Sequence, residues 1–244
     1  MSGRNRTLVS GVSALQYWIL LPRKRTPYGQ WSPDARALDV IGGKWTLLIV
    51  RDLSAGSRRF VELQRSLPGI STEQLRIRLA EMVADGLLER RRYREVPPRV
   101  VYSLTPRGED LRRVLGEISG WGLRWTWGPP RGDERLDFDA LLRTLTTLPV
   151  PSKTPSGVLA LRAGNDTFAC EIRKGSCRLL AERPDRADAT ISGSESTWVQ
   201  ALSPASLGKG LRISGDRQLA KAFIGLAARQ VDPPASPTRR SAAG

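Results

Sequence analysis

The sequence predicts a mixed fold in two parts, a mainly helical first part and an α+β second part. Three observations predict it. Apolar residues recur at helical spacing through most of residues 33–84. Two basic, strand-like runs then meet at Pro97-Pro98. After a proline- and glycine-rich charged break at 128–135, the pattern changes to alternating runs flanked by amphipathic segments.

The stretch around which the first part is organised is 60–104. In "ISTEQLRIRLAEMVADGLLER", Ser71 can accept a bond from an unpaired first-turn N–H, and Glu73 and Gln74 suit the first turn. Leu75, Leu79, Met82 and Val83 share one helical face, leaving Thr72, Gln74, Arg76, Ile77 and Arg78 on the other, and Gly86 ends the helix. In front, Phe60, Leu63 and Leu67 mark a short amphipathic helix stopped at Pro68-Gly69. Behind, "LLERRRYREVPPRVVYSLT" reads as a strand pair. Helix, tight turn, helix and basic hairpin describe a winged helix-turn-helix, whose second helix reads duplex DNA in the major groove. An ordinary helical hairpin with solvated arginines would give the same helix pattern. Against it stand Arg90, Arg91, Arg92, Arg94 and Arg99 in the hairpin, and an exposed helix face mixing arginine with short hydrogen-bonding groups. Base contacts are expected from Ser71, Thr72, Gln74, Arg76 and Arg78. Phosphate contacts are expected from Lys44, Arg58, Arg59, Arg91, Arg92 and Arg94, with Lys44 and Arg58 beside helix N-termini.

Composition agrees. The 244 residues carry 39 Lys and Arg against 24 Asp and Glu, a net charge of +15. Most of that excess lies before residue 130, as a phosphate-facing surface requires. Histidine is absent, which removes serine–histidine–acid and cysteine–histidine catalysis and most zinc sites. The only cysteines, Cys170 and Cys177, cannot make a four-thiolate centre and read as free thiols of a cytoplasmic protein. Neither paired carboxylates nor a nucleophile with an evident base stands out. A non-enzymatic protein without metal or cofactor is expected.

Residues 1–24 pair a basic start with a moderately apolar run and "RKR". They read as a disordered extension or an artefact of the assigned start; a signal peptide is the minority reading. Ser32 and Pro33 open a helix that Gly42-Gly43 break, and an apolar helix follows from Lys44 to Leu53. From Tyr28 to Gly122 the chain resembles HxlR-type winged-helix transcription regulators, through the aromatic–Gly–Gln–x–x–Pro start, "IGGKWTLLIVRDL", "RRFVEL", "LPGIS", "DGLLER" and "YSLTPRGEDL" in order. The resemblance implies a cytoplasmic, bacterial-type homodimer on a partly palindromic operator. In some members a cysteine before the first proline senses oxidants or electrophiles. Here Ser32 stands there, and a hydroxyl cannot climb the thiol oxidation ladder, which puts that mechanism in doubt.

Thr105-Pro106 start a helix with three tryptophans at or beyond its end, more apolar than one small domain needs. By resemblance it pairs with its mate in a dimer through Leu111, Leu115, Ile118, Trp121 and Trp125. The expected division is an HxlR-type DNA-binding and dimerisation domain at 25–127, a linker at 128–135, a second domain at 136–231 and a disordered tail at 232–244. In the second domain, Lys174-Gly175 make a two-residue hairpin turn that puts Ile172 opposite Cys177 and Cys170 opposite Leu179. The order of its elements suggests an α+β sandwich, and "DAT", a helix with Trp198 and Leu202, and "ISGD" resemble sterol-carrier-protein-like domains. That resemblance implies an apolar pocket lined by Phe168, Cys170, Ile172, Cys177, Leu179, Trp198, Leu202 and Phe223; a solid core is the other reading of the same residues. The function expected is sequence-specific regulation of transcription in response to a fatty or other apolar small molecule. The alternative is a lipid-binding or carrier module with a basic membrane-facing surface.

Overall fold

A computed structural model describes residues 26–94, 99–128, 131, 132, 134, 137–180, 186–202 and 206–228. The expected extension at 1–24, the tail at 232–244 and much of the expected linker lie outside the described residues.

The first part is α1 (Pro33–Ile41), α2 (Thr46–Leu53), β1 (Arg58–Arg59), α3 (Phe60–Ser66), α4 (Thr72–Ala84), β2 (Leu88–Tyr93), β3 (Arg99–Leu104) and α5 (Pro106–Trp125). Local chemistry sets the boundaries. The Ala35 N–H donates to Ser32 Oγ (3.3 Å) and Pro33 occupies the first turn of α1, where its missing donor costs nothing. Helix α2 starts two residues later than the sequence suggests, because Trp45 at its N-cap takes a left-handed φ of 80°. The end of α4 is closed by Gly86 at φ 70°, which lets the Gly86 and Leu87 N–H groups turn back to the Val83 and Met82 carbonyls (3.0 and 2.9 Å). Leu63, Leu75, Leu79 and Met82 pack with Ile49, Val50 and Leu53 in one aliphatic core. Each such side chain contributes roughly 1.5–3 kcal/mol. A three-stranded sheet in the order β1-β3-β2 borders this core, with β2 and β3 antiparallel and Arg90 opposite Tyr102. The two-residue strand β1 is too short to leave a periodic signal.

The second part is α6 (Phe138–Thr147), β4 (Gly157–Ala163), β5 (Asp166–Arg173), β6 (Ser176–Leu179), β7 (Ala189–Gly193), α7 (Glu195–Ala201), β8 (Arg212–Gly215) and α8 (Arg217–Ala228). Its sheet runs β6-β5-β4-β7-β8, with β4 and β7 parallel and the other pairs antiparallel. The β5–β6 turn has Lys174 at φ 47° and Gly175 at φ 76°, and Ile172 faces Cys177 while Cys170 faces Leu179, the register the sequence predicts. Cross-strand pairing puts Leu159, Leu161, Cys170, Ile172, Cys177 and Ile191 on one face, which packs with residues of α6, α7 and α8. The C-terminal part is thus an α+β unit with a five-stranded sheet.

Helix α6 lies between the two units. It touches β6 on one side and α2 and α5 on the other. Its approach to α5 is close enough that a Cβ at Gly116 would lie 2.3 Å from the Thr147 carbonyl oxygen. Helix α5 is shared: Leu111 packs against the first core and Leu123 belongs to the second.

Candidate nucleic-acid interface

The start of α4 is fixed by a reciprocal cap. The Gln74 N–H donates to Ser71 Oγ and the Ser71 N–H to Gln74 Oε1, each at 3.1 Å, while Gln64 Nε2 of α3 donates to Thr72 Oγ1 (2.6 Å). With Leu75, Leu79 and Met82 fully buried, the residues turned to solvent are Ser71, Thr72, Glu73, Gln74, Arg76, Ile77, Ala80 and Ala84. Arg76 is 68% exposed and rests on Glu73 through two N–H donors, Nε (2.8 Å) and Nη2 (2.6 Å). That contact raises the Arg76 pKa and lowers that of Glu73, each first through the hydrogen bond. Arg78 differs from its expected place. It is only 20% exposed, pairs with Glu81 (2.8 Å), and its guanidinium covers Gly43, where an added Cβ would lie 2.4 Å from Nη1. The side chain braces α4 against the start of α2 instead of facing outward.

The wing supplies the largest group of exposed cations. Arg90, Arg91, Arg92, Arg94 and Arg99 are all exposed. Arg91 pairs with Glu89 (2.7 Å), which raises its pKa; among the described residues the other four have no carboxylate partner. Lys44 is exposed at the start of α2, with Nζ 5.2 Å from the Trp45 ring centroid. Arg59 is exposed at the N-cap of α3, where its own N–H donates to Glu62 (2.6 Å). Arg58 departs from the expected phosphate group: its side chain is 22% exposed and reaches Asp139 of α6 at 3.7 Å.

Helix α5 divides the expected dimer residues. Leu115 is 5% exposed and Leu111 packs against the first core, so both serve this chain's own interior. Val114, Ile118, Trp121 and Trp125 form an outward stripe at i, i+4, i+7 and i+11, each between 39% and 57% exposed.

No local pattern in the sequence marks the charged joint beneath α6. Arg143 and Asp52 are buried, 1% and 0% exposed, and meet across 91 residues of sequence with Nη1 3.4 Å from Oδ1. Arg143 Nη2 also donates to Asp139. Asp52 accepts from Ser66 Oγ of α3 (2.5 Å) and Arg51 Nε (2.9 Å). Burial, with Arg58 nearby, lowers the Arg143 pKa to about 10 against the pull of Asp52, so the side chain stays charged near neutrality. This joint links α2 and α3, the helices beneath α4, to the second unit. Two opposite charges in a sequence do not reveal that they meet across the fold.

Comparison with known proteins places this geometry. The family model for the HxlR-like helix-turn-helix matches residues 40–128. An HTH-type transcriptional regulator of Synechocystis sp. is 39% identical over 97 residues, 40% of this chain and 72% of its own length. The HTH-type regulator YvaP of Bacillus subtilis is 41% identical over 90 residues, 37% of this chain and 83% of its own. This chain belongs to the HxlR-like helix-turn-helix family of transcriptional regulators. Among solved structures, a MarR-family transcriptional regulator from Porphyromonas gingivalis is 38% identical over 41% of this chain and 97% of its own, with a TM-score of 0.38.

The HxlR-like match ends at residue 128, so it covers the winged helix and α5 and leaves the sheet unit outside. At the start of the winged helix, Ser32 is spent on capping α1. In the sheet unit, Cys170, Ile172, Cys177, Trp198, Leu202 and Phe223 are buried in one cluster, with Phe168 and Leu179 packed against it. Phe138 stands 5.0 Å from Trp198 and 5.5 Å from Phe168, ring centre to ring centre, and Trp198 Nε1 donates to the Arg162 carbonyl (2.8 Å). Cys170 is held well above the ordinary thiol range, first by its hydrogen bond with Cys177 and then by burial, so its sulfur behaves as an apolar packing group; Cys177 is buried beside it. Among the described residues no helix is long and apolar enough to cross a membrane, and no cluster of metal-ligating side chains occurs.

Proposed function

We propose that this HxlR-like regulator acts as a homodimer that reads a two-fold related duplex site through α4. The observation that carries this reading is the capped start of α4, which offers Ser71, Thr72, Gln74 and Arg76 to solvent beside an arginine-rich wing. Arg76 is the base-reading cation, because Arg78 is spent on Gly43 and Glu81. Lys44, Arg59, Arg91, Arg92 and Arg94 are the phosphate contacts, to which Arg90 and Arg99 are added for their exposure. Arg58 is left out for its contact with Asp139. The dimer forms through the outward stripe Val114, Ile118, Trp121 and Trp125, four apolar side chains that a monomer would leave in water. Such a dimer sets half-sites about one helical turn apart.

The second unit is the part that answers to a small-molecule effector, and the contact of α6 with α2 and α5 supports that role. The protein would then work in the cytoplasm of a bacterial cell. Selection of bound duplexes from a random pool, followed by binding at several salt concentrations, tests the reading. A palindromic consensus, lost preference in Arg76→Ala and a steep salt dependence are expected. Equal affinity for all duplexes, with binding to anionic vesicles, would overturn it in favour of a membrane-surface carrier.

A further inference from the structure

The winged helix and the sheet unit do not meet everywhere. Beside the Asp52–Arg143 joint lies a cleft of about 360 Å³ with walls from both units. Its apolar surface comes from Leu53 at the end of α2, Leu104 at the end of β3, and Leu179 and Leu180 at the end of β6. Its polar lining includes Arg112 and Glu109 of α5, Arg178 of β6, Ser57 and Ser103. We infer that this cleft binds a small carboxylic acid with a short apolar body, and that the acid is the effector. The effector role rests on the regulator reading above; the binding site does not.

Charge selects the head group. Among the described residues, Arg112, Arg178 and Glu109 are the charged residues that line the cleft, and Glu109 is engaged with Arg112 at 3.4 Å. Arg178 is exposed and forms no ion pair among the described residues. Among the described lining residues one positive charge is in excess, which matches a monoanion, and a guanidinium fork suits a carboxylate in two-point contact. The partly exposed Leu104, Leu179 and Leu180 select the rest of the ligand, since an anion without an apolar body would leave them in water. The volume lies near the lower end of small-molecule sites, roughly 300–1,000 Å³, and limits that body to a short chain or a single ring. A ligand held by Arg112 on one side and Arg178 on the other touches both units at once. It therefore favours the unit arrangement in which the two arginines are within its reach, which is the differential affinity that an effector needs.

Titration calorimetry on the full chain tests the site, with octanoate as probe and octanamide and inorganic phosphate as comparisons. Octanoate should bind once per chain, at least tenfold more tightly than either comparison. Arg178→Ala should weaken octanoate at least tenfold, with Arg178→Lys recovering part of the loss. Ser57→Trp should fill the cleft and abolish binding while thermal stability is kept. Phosphate binding as tightly as octanoate would overturn the inference. So would octanoate affinity indifferent to Arg178→Ala and Ser57→Trp but lost in Cys170→Trp, which would put the ligand inside the sheet unit. Because the calorimetry contains no DNA, failure to find an operator would sink the regulator reading and leave the site standing.

Discussion

The two cores place their aromatic residues oppositely. In the sheet unit Phe138, Trp198 and Phe223 are buried among aliphatic side chains, whereas the winged-helix core is built mainly from leucine, isoleucine, valine and methionine. The tryptophans of the first part lie mostly outside: Trp31, Trp121, Trp125 and Trp127 are 93%, 57%, 55% and 40% exposed. A large aromatic ring inside a core stabilises its own domain; the same ring on a surface stabilises what docks there. The sheet unit thus spends its large rings on its own interior, and the first part leaves most of its tryptophans at the surface.

Matched truncations test that contrast. Trp198→Ala should cost about 3–5 kcal/mol, read as a lowered urea midpoint, because the cavity it leaves cannot collapse inside a packed sheet unit. Trp121→Ala should leave monomer stability almost unchanged and raise the dimer dissociation constant at least tenfold in sedimentation. Equal effects of the two on chain stability would erase the distinction. Next in size is the joint between the units: Arg143→Ala should cost about 3–5 kcal/mol by taking one of its two guanidinium partners from the buried Asp52 and opening a void beneath α6. Pairing Arg143→Met with Asp52→Asn should recover much of that loss, and a double variant no better than the single would break the argument. Within α4, Arg76→Ala should lower the preference for operator over scrambled DNA by about 1–3 kcal/mol. Arg78→Ala should act on stability with the preference intact. On the wing, Arg92→Ala should weaken all duplexes alike and flatten the salt slope by about one unit. The smallest effect expected is that of Ser32→Ala, about 1 kcal/mol of stability from a lost N-cap.

What the sequence made legible is what short stretches decide. Ser32, Ser71 and Thr105 mark helix starts because a cap acts within three residues, and Lys174-Gly175 fix a register because a two-residue turn leaves no other. The direction of a long side chain is not decided that way. Arg76 and Arg78 are equal by periodicity, yet Gly43 leaves room for one guanidinium and not the other. Arg58 looks like a phosphate ligand until Asp139 comes to it from 81 positions downstream. On α5, spacing alone gave one broad apolar surface. Only docking of α6 at Gly116 shows that Leu115 is covered and that the free stripe begins at Val114. Residues whose roles depend on contacts distant in sequence, Arg143 above all, were the ones that could not be read.

The separation of 91 residues between Asp52 and Arg143 also sets an order of events as the chain is made. Domains begin to fold from the N-terminus while the ribosome is still adding residues. The helix-turn-helix can form its aliphatic core early, but Asp52 must then wait, with only Arg51 and Ser66 against it, until α6 emerges. A nascent chain stopped before residue 143 should hold a loosened α2–α3 pair, and release of α6 should tighten it. The contacts that fix α2 and α3 would then be completed only after the sheet unit has begun to appear.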